Sequence, residues 1–183
     1  PLYVIALHET WLWTGDRTLL EQHRDTAERC LEWIDRYGDL DGDGFQEYLT
    51  RSTQGLENEG WKDSGDAVVY PDGAKATPPI ALCELQGYVY DAKRRMAEVF
   101  EALGEAERAG ALRQQAEQLQ QRFEDAFWME DEGTYCFGLD AQKQPIRTIV
   151  SNAGHCLWSG IARPERAARV VQRLMQQDMS SGW

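Results

Sequence analysis

The sequence predicts an all-α fold in which inner helices are wrapped by outer ones, as in a helical toroid. Three observations carry that expectation. Apolar residues recur at helical spacing in six segments. Segments apolar on most faces alternate with segments apolar along a single stripe. The 183 residues, 42% hydrophobic and 27% charged, suffice for one sizeable folded unit. A four-helix bundle would put one stripe on every helix, without this alternation.

The first helix, residues 2–13, is apolar except for His8, Glu9 and Thr10, and Gly15-Asp16 ends it. The second, 17–37, is charged around one stripe of Leu20, Ala27, Leu31 and Ile34, and Gly38 stops it. The third, 80–103, follows Pro78-Pro79, is mostly apolar in its first half and closes at Gly104. The fourth, 106–127, carries the stripe Ala109, Leu112, Ala116, Leu119, Phe123 and Phe127. The fifth, 152–161, is short and apolar, and the sixth opens with Pro164 in its first turn and carries Ala167, Val170, Val171 and Leu174. A mostly apolar helix needs partners on several sides, whereas a striped one lies at the surface. Three inner–outer pairs are therefore expected. The chain starts without Met and reaches Trp183 without a helix stop, so residues 1–183 read as a single fragment of a toroid, truncated at both ends. Inner helices lacking neighbours would expose an apolar patch, which predicts self-association or a longer native chain.

Two long connections interrupt the helices. Residues 38–79 are rich in Gly, Asp and Asn, and 128–150 read as one hairpin with arms at 134–137 and 146–150. Connections of this length inside a compact unit are usually functional. Both lead into an apolar helix, so both should cluster at one end of the inner layer, where chemistry is expected.

Composition excludes several classes. Nineteen Lys and Arg against 31 Asp and Glu leave a net charge of −12, which repels phosphate backbones and anionic lipid, so no nucleic-acid or membrane partner is expected. No apolar stretch approaches the ~18 residues of a membrane-spanning helix. Cys30, Cys83, Cys136 and Cys156 lie far apart and read as free thiols in a reducing cytoplasm. Zinc-ligand spacings, dinucleotide and phosphate-binding glycine loops and the Gly-x-Ser-x-Gly elbow are all absent from the sequence, so no cofactor is expected.

Four stretches carry candidate chemistry. Asp39, Asp41 and Asp43 match the first half of an EF-hand loop, but the twelfth position is Thr50 where a bidentate Glu belongs, which favours an acidic turn over a calcium site. Gly60-Trp61-Lys62-Asp63-Ser64-Gly65-Asp66 sets two carboxylates beside a flat aromatic ring. Such a ring stacks on a pyranose, and a carboxyl desolvated against it keeps its proton and suits a general acid. A surface loop with a self-neutralising Lys62–Asp63 pair is the alternative. Glu84 and Gln86, two positions apart, point to different faces of their helix, and Glu84 amid apolar neighbours needs a polar cavity or an Arg partner. Ser151 or Asn152 suits the cap of the fifth helix, and His155 is either a core residue or a pocket residue.

At these stretches the chain resembles the amylo-alpha-1,6-glucosidase (glycogen-debranching) group of glycoside hydrolases. The resemblance runs in order through residues 41–48, Gly55-Leu56, Gly60-Trp61-Lys62-Asp63-Ser64, residues 79–88 and residues 151–160. It implies an (α/α)6 toroid, of which this chain is about half, acting on an oligosaccharide or α-glucoside by inversion. It implies Asp63 as general acid with Asp66 as runner-up, Trp61 in the sugar site, Glu84 and Gln86 as hydroxyl ligands, and Asn152 and His155 lining the same pocket. The group's general base, a Glu near the end of the toroid, has no counterpart in this chain. Inversion needs both carboxyls, roughly 6.5–9.5 Å apart. The 183-residue chain alone is thus expected to be inactive. Two rival readings are a sugar epimerase or isomerase of the same toroid class, centred on His155, and a non-catalytic carbohydrate-binding fragment.

Overall fold

The computed structural model of the chain describes residues 1–182. Its helices are α1 (Leu2–Thr14), α2 (Arg17–Trp33), α3 (Cys83–Leu103), α4 (Ala106–Phe127), α5 (Ala153–Trp158) and α6 (Pro164–Leu174). Glycine fixes two of their ends: Gly15 (φ 67°) closes α1 and Gly104 (φ 89°) closes α3, both in the left-handed conformation that a side chain disfavours. The Asp16 carboxylate starts α2 by accepting from the Thr18 N–H.

The alternation expected from the sequence is the architecture observed. Helices α1, α3 and α5 pack in succession as an inner layer, and each carries its follower, α2, α4 or α6, on the outside. One apolar cluster joins α1 and α2 to the second half of α3 and the start of α4 through Val4, Leu20, Leu31, Met96, Phe100 and Leu112. A second joins the first half of α3 to the end of α4, α5 and α6 through Val89, Phe123, Phe127, Cys156 and Val170. Outer helix α6 is tied down by a buried carboxylate. Glu124 of α4 accepts from Tyr135 Oη (2.8 Å) and from the backbone N–H of Arg163 (2.8 Å), and pairs with Arg166. Inner helix α1 keeps Leu12 and Trp13 exposed, and its first residue, Leu2, also exposed, borders the cavity described below.

The fifth helix ends at Trp158 rather than residue 161, and three other boundaries also differ from expectation. The second helix leaves regular geometry after Trp33 and ends in a π-helical turn, Ile34–Gly38. The third begins at Cys83 rather than residue 80, because Ile80 bridges Tyr48 and Ala81–Leu82 form strand β1. The expected single hairpin is two ladders. Strands β2 (Trp128–Met129) and β3 (Thr134–Tyr135) pair with each other, while β4 (Gly138–Leu139) lies between β1 and β5 (Pro145–Ile146). The register Ala81↔Leu139 and Gly138↔Ile146 explains the difference: the run before α3 supplies a third strand that draws residues 138–139 away from a long hairpin arm. A third cluster, Tyr48, Val68, Ile80, Leu82, Phe137 and Ile146, sits under the connection 38–79 and packs it on this sheet. Both connections therefore meet at the N-terminal ends of α3 and α5, as expected.

Candidate active site

At that end of the inner layer lies a cavity of about 750 Å³. Glu59, Gly60 and Trp61 enter it from the long connection, Glu84, Leu85 and Tyr88 from the first turns of α3, and Ser151, Gly154, His155 and Trp158 from the start of α5. Gly60 is required by its neighbours: a Cβ there would lie 2.2 Å from Leu82 Cδ1 and 3.1 Å from Glu84 Oε1. The close approach seats Trp61 beside the α3 terminus.

Four aromatic rings wall the cavity. Trp61 stands 5.4 Å from the His155 ring, Tyr88 meets His155 edge-on at 5.7 Å, and Trp158 meets Tyr88 edge-on at 6.0 Å. Trp61 is 70% and Trp158 56% exposed, which leaves ring faces open at the mouth. Tyr88 Oη lies 2.8 Å from His155 Nδ1. Burial, then the nearby Lys62 charge, lower the His155 pKa, and burial pushes the Tyr88 phenol up to about 12. A protonated phenol facing a neutral imidazole is assigned as the O–H donating to Nδ1, with the ring proton on Nε2.

Glu84 is the buried charge of the site, 1% exposed. Its Oε1 lies without a partner in hydrogen-bond geometry, and its Oε2 accepts a long contact from the Cys83 thiol (3.8 Å). Burial raises its pKa; its own backbone N–H, the Asn152 side chain and the Trp61 backbone N–H pull the other way and are outweighed. The Asn152 amide is fully buried with neither Oδ1 nor Nδ2 in hydrogen-bond geometry, although it heads α5 and would be expected to cap it. It sits against Glu84, behind the lining residues.

Of the residues expected at the site, Trp61, Glu84 and His155 line one cavity, and Asn152 stands behind it. Gln86 does not reach it. Its Nε2 donates to the carbonyls of Gln46 (2.7 Å) and Leu82 (3.1 Å), and its Oε1 accepts from the Gln46 N–H (2.8 Å). Every polar atom of that amide is occupied in clamping the acidic loop to α3, so the hydroxyl-ligand role is corrected. Asp63 and Asp66 are exposed and outside the lining. The Trp61 ring turns to His155 instead of covering Asp63, so the expected desolvation of that carboxyl is not realised here. Sequence reasoning missed Tyr88, Trp158 and Glu59. The first two recur at helical spacing from Glu84 and from His155, and that spacing is the signal that could have added them to the pocket.

The acidic loop carries its own cation. Lys143, from the β4–β5 turn, reaches Asp41 (2.8 Å), Asp43 (2.7 Å) and the buried Glu47. Asp39 turns its oxygens to the Gly42 and Gly44 N–H groups.

A family model described as the mannosylglycerate hydrolase MGH1-like glycoside hydrolase domain matches residues 1–181. The chain belongs to that family. Its fold is similar to that of a GH78 family rhamnosidase of Bacillus sp. GL1, with a TM-score of 0.71 at 16% identity. The likeness covers 94% of this chain and 16% of the rhamnosidase chain. No curated protein matches the chain significantly in sequence. Glycoside hydrolase domain is a coarser assignment than glycogen debranching, and it accords with an aromatic-walled cavity holding a buried carboxyl. No helix among the described residues is long and apolar enough to cross a membrane.

Proposed function

We propose that this glycoside hydrolase domain forms one wall of a cleft that hydrolyses α-glucosidic bonds of an oligosaccharide by inversion, in the manner of an amylo-alpha-1,6-glucosidase. The observation that carries the reading is the juxtaposition of open Trp61 and Trp158 faces with the buried Glu84 carboxyl and neutral His155 in one cavity. A glucosyl ring stacks on the indoles, its hydroxyls meeting Glu84 Oε1 and the His155 Nε2–H. Asp63, two residues from Trp61, gives its proton to the departing glycosidic oxygen, and the sugar stacked on Trp61 supplies the cover that the carboxyl lacks without substrate. Water attacks the anomeric carbon from the opposite face, activated by a Glu outside this chain. The four free cysteines support a cytoplasmic setting.

A second assignment of the acid has its own observation. Glu84 is buried in the cavity with a raised pKa, the state a proton donor needs. Glucose release from a branched α-glucan by the intact enzyme separates the two. Asp63→Asn is expected to lower kcat at least a thousandfold with KM within a few-fold, and Glu84→Gln to act mainly on KM. The reverse pattern transfers the acid role to Glu84. Wild-type-like kcat in both variants overturns the reading.

A further inference from the structure

We propose that Trp33 and Tyr37, on the outer helix α2 and its π-helical end, form a second carbohydrate platform that holds glycosyl units of an oligosaccharide outside the catalytic cavity. The inference rests on the oligosaccharide reading of the substrate and adds that the substrate is a chain of several units.

Three observations carry it. First, the two rings are exposed and adjoin. Trp33 is 59% and Tyr37 55% exposed, and their centroids lie 6.3 Å apart with planes inclined by 43°. Neither ring joins any of the three apolar clusters, so the fold does not use them. Second, the turn that carries them is held from inside. The chain widens there into the π-helical turn Ile34–Gly38, a rare geometry that recurs at functional sites. Ile34 is buried in the core, Asp35 pairs with the buried Lys93 (2.5 Å), and a Cβ on Gly38 would collide with the Gln46 side chain. The platform is therefore preorganised, which spares part of the ordering cost of binding. Third, the chemistry around the rings suits a neutral polyol. Arg29, Glu32, Trp33, Asp35, Arg36 and Tyr37 line a groove of about 590 Å³. Its two guanidiniums balance its two carboxylates on a chain of net charge −12. These groups donate to and accept from hydroxyls, while the ring faces take the C–H face of a pyranose. The Arg36 guanidinium, 5.5 Å from the Tyr37 centroid, brings such donors to the ring itself. The groove lining holds no Leu, Ile, Val or Met, whereas the core of a protein–protein contact is depleted of charged residues. Trp33 also shares a recess with Pro1, which borders the cavity, so platform and cavity open at the same end of the helices.

Calorimetric titration of the intact protein with maltoheptaose and with methyl α-D-glucopyranoside tests this. Maltoheptaose is expected to bind at least tenfold more tightly than the monosaccharide glycoside. The double variant Trp33→Ala, Tyr37→Ala should lose at least fivefold of the maltoheptaose affinity while keeping its affinity for the glucoside and its Tm. Trp61→Ala should instead weaken the glucoside. Wild-type maltoheptaose affinity in the double variant overturns the platform and leaves the cavity standing. If the double variant also turns a sedimenting dimer into a monomer, the patch belongs to a second copy of the chain and the proposal falls. Loss of maltoheptaose in the double variant, with the glucoside indifferent to Trp61→Ala, keeps the platform and overturns the cavity as a sugar site. Binding of neither sugar by the wild type overturns both.

Discussion

Glu84 pits stability against function within one side chain. Its folded-state pKa lies above the unfolded value, so between the two values the folded chain binds more protons than the unfolded one. Its contribution is therefore unfavourable above the folded value, relieved as pH falls through that value, and gone below the unfolded carboxyl pKa of about 4.3. Glu84→Gln should raise stability by about 1–2 kcal/mol at neutral pH. Urea unfolding as a function of pH should show that gain shrinking as pH drops toward 4. The His155 ring carries the opposite sign. Its pKa is lowered on folding, so its contribution is present above the unfolded value of about 6.5 and lost as pH falls below it. Tyr88→Phe removes the hydroxyl facing Nδ1, and the His155 C–H resonances followed through a pH titration should shift their midpoint. Glu84 was legible as a site residue because a lone acid inside an apolar run needs a cavity. Asp63 was legible as a motif, but the direction of the Trp61 ring, on which its environment depends, is decided by His155, some ninety residues away in the chain.

At the scale of elements, the device that positions the site is the clamp between α3 and the long connection. Gln86 and the Gln46 backbone satisfy each other reciprocally, and the Lys143 ammonium fastens the neighbouring loop to the β4–β5 turn. Gln86→Leu leaves the Gln46 N–H and C=O buried without partners and should cost about 3 kcal/mol. Hydrogen exchange should report it locally, with faster exchange at Gln46 and Tyr48 than in α4. Lys143→Met strands the buried Glu47 among two further carboxylates and should cost about 2 kcal/mol, read as a lowered Tm. The sequence showed by helical spacing that Glu84 and Gln86 face different ways. It could not show that the partner of Gln86 is a backbone segment forty residues earlier, because a hydrogen bond to main chain leaves no mark on the partner's side chain. The start of α3 was misplaced for a similar reason: Ile80, Ala81 and Leu82 are apolar enough for a helix, and pairing with Tyr48 and β4 decides otherwise.

Across the whole molecule the two-layer order was readable in advance, since how many faces of a helix are apolar reports how many neighbours it has. Both α3, buried along most of its length, and α4, buried along a stripe, follow that rule. Helix α1 shows the exposure expected of an inner helix that lacks a neighbour. It is apolar on most faces, yet Trp13 is 87% exposed and Leu2 and Leu12 are also uncovered. The hydrolysis reading places its base outside these residues, so the 183-residue chain should release no glucose from any α-glucan, and measurable release by it would refute that division of the cleft.

The lysine fastening the acidic loop has one more consequence. Loops of alternating aspartates ordinarily borrow a dissolved ion to hold their shape, and lose it to EDTA. Here the counter-charge is covalently part of the polypeptide, so it cannot be stripped by chelation or diluted away. A reagent that blocks the amine itself, such as cyanate, should set the loop free.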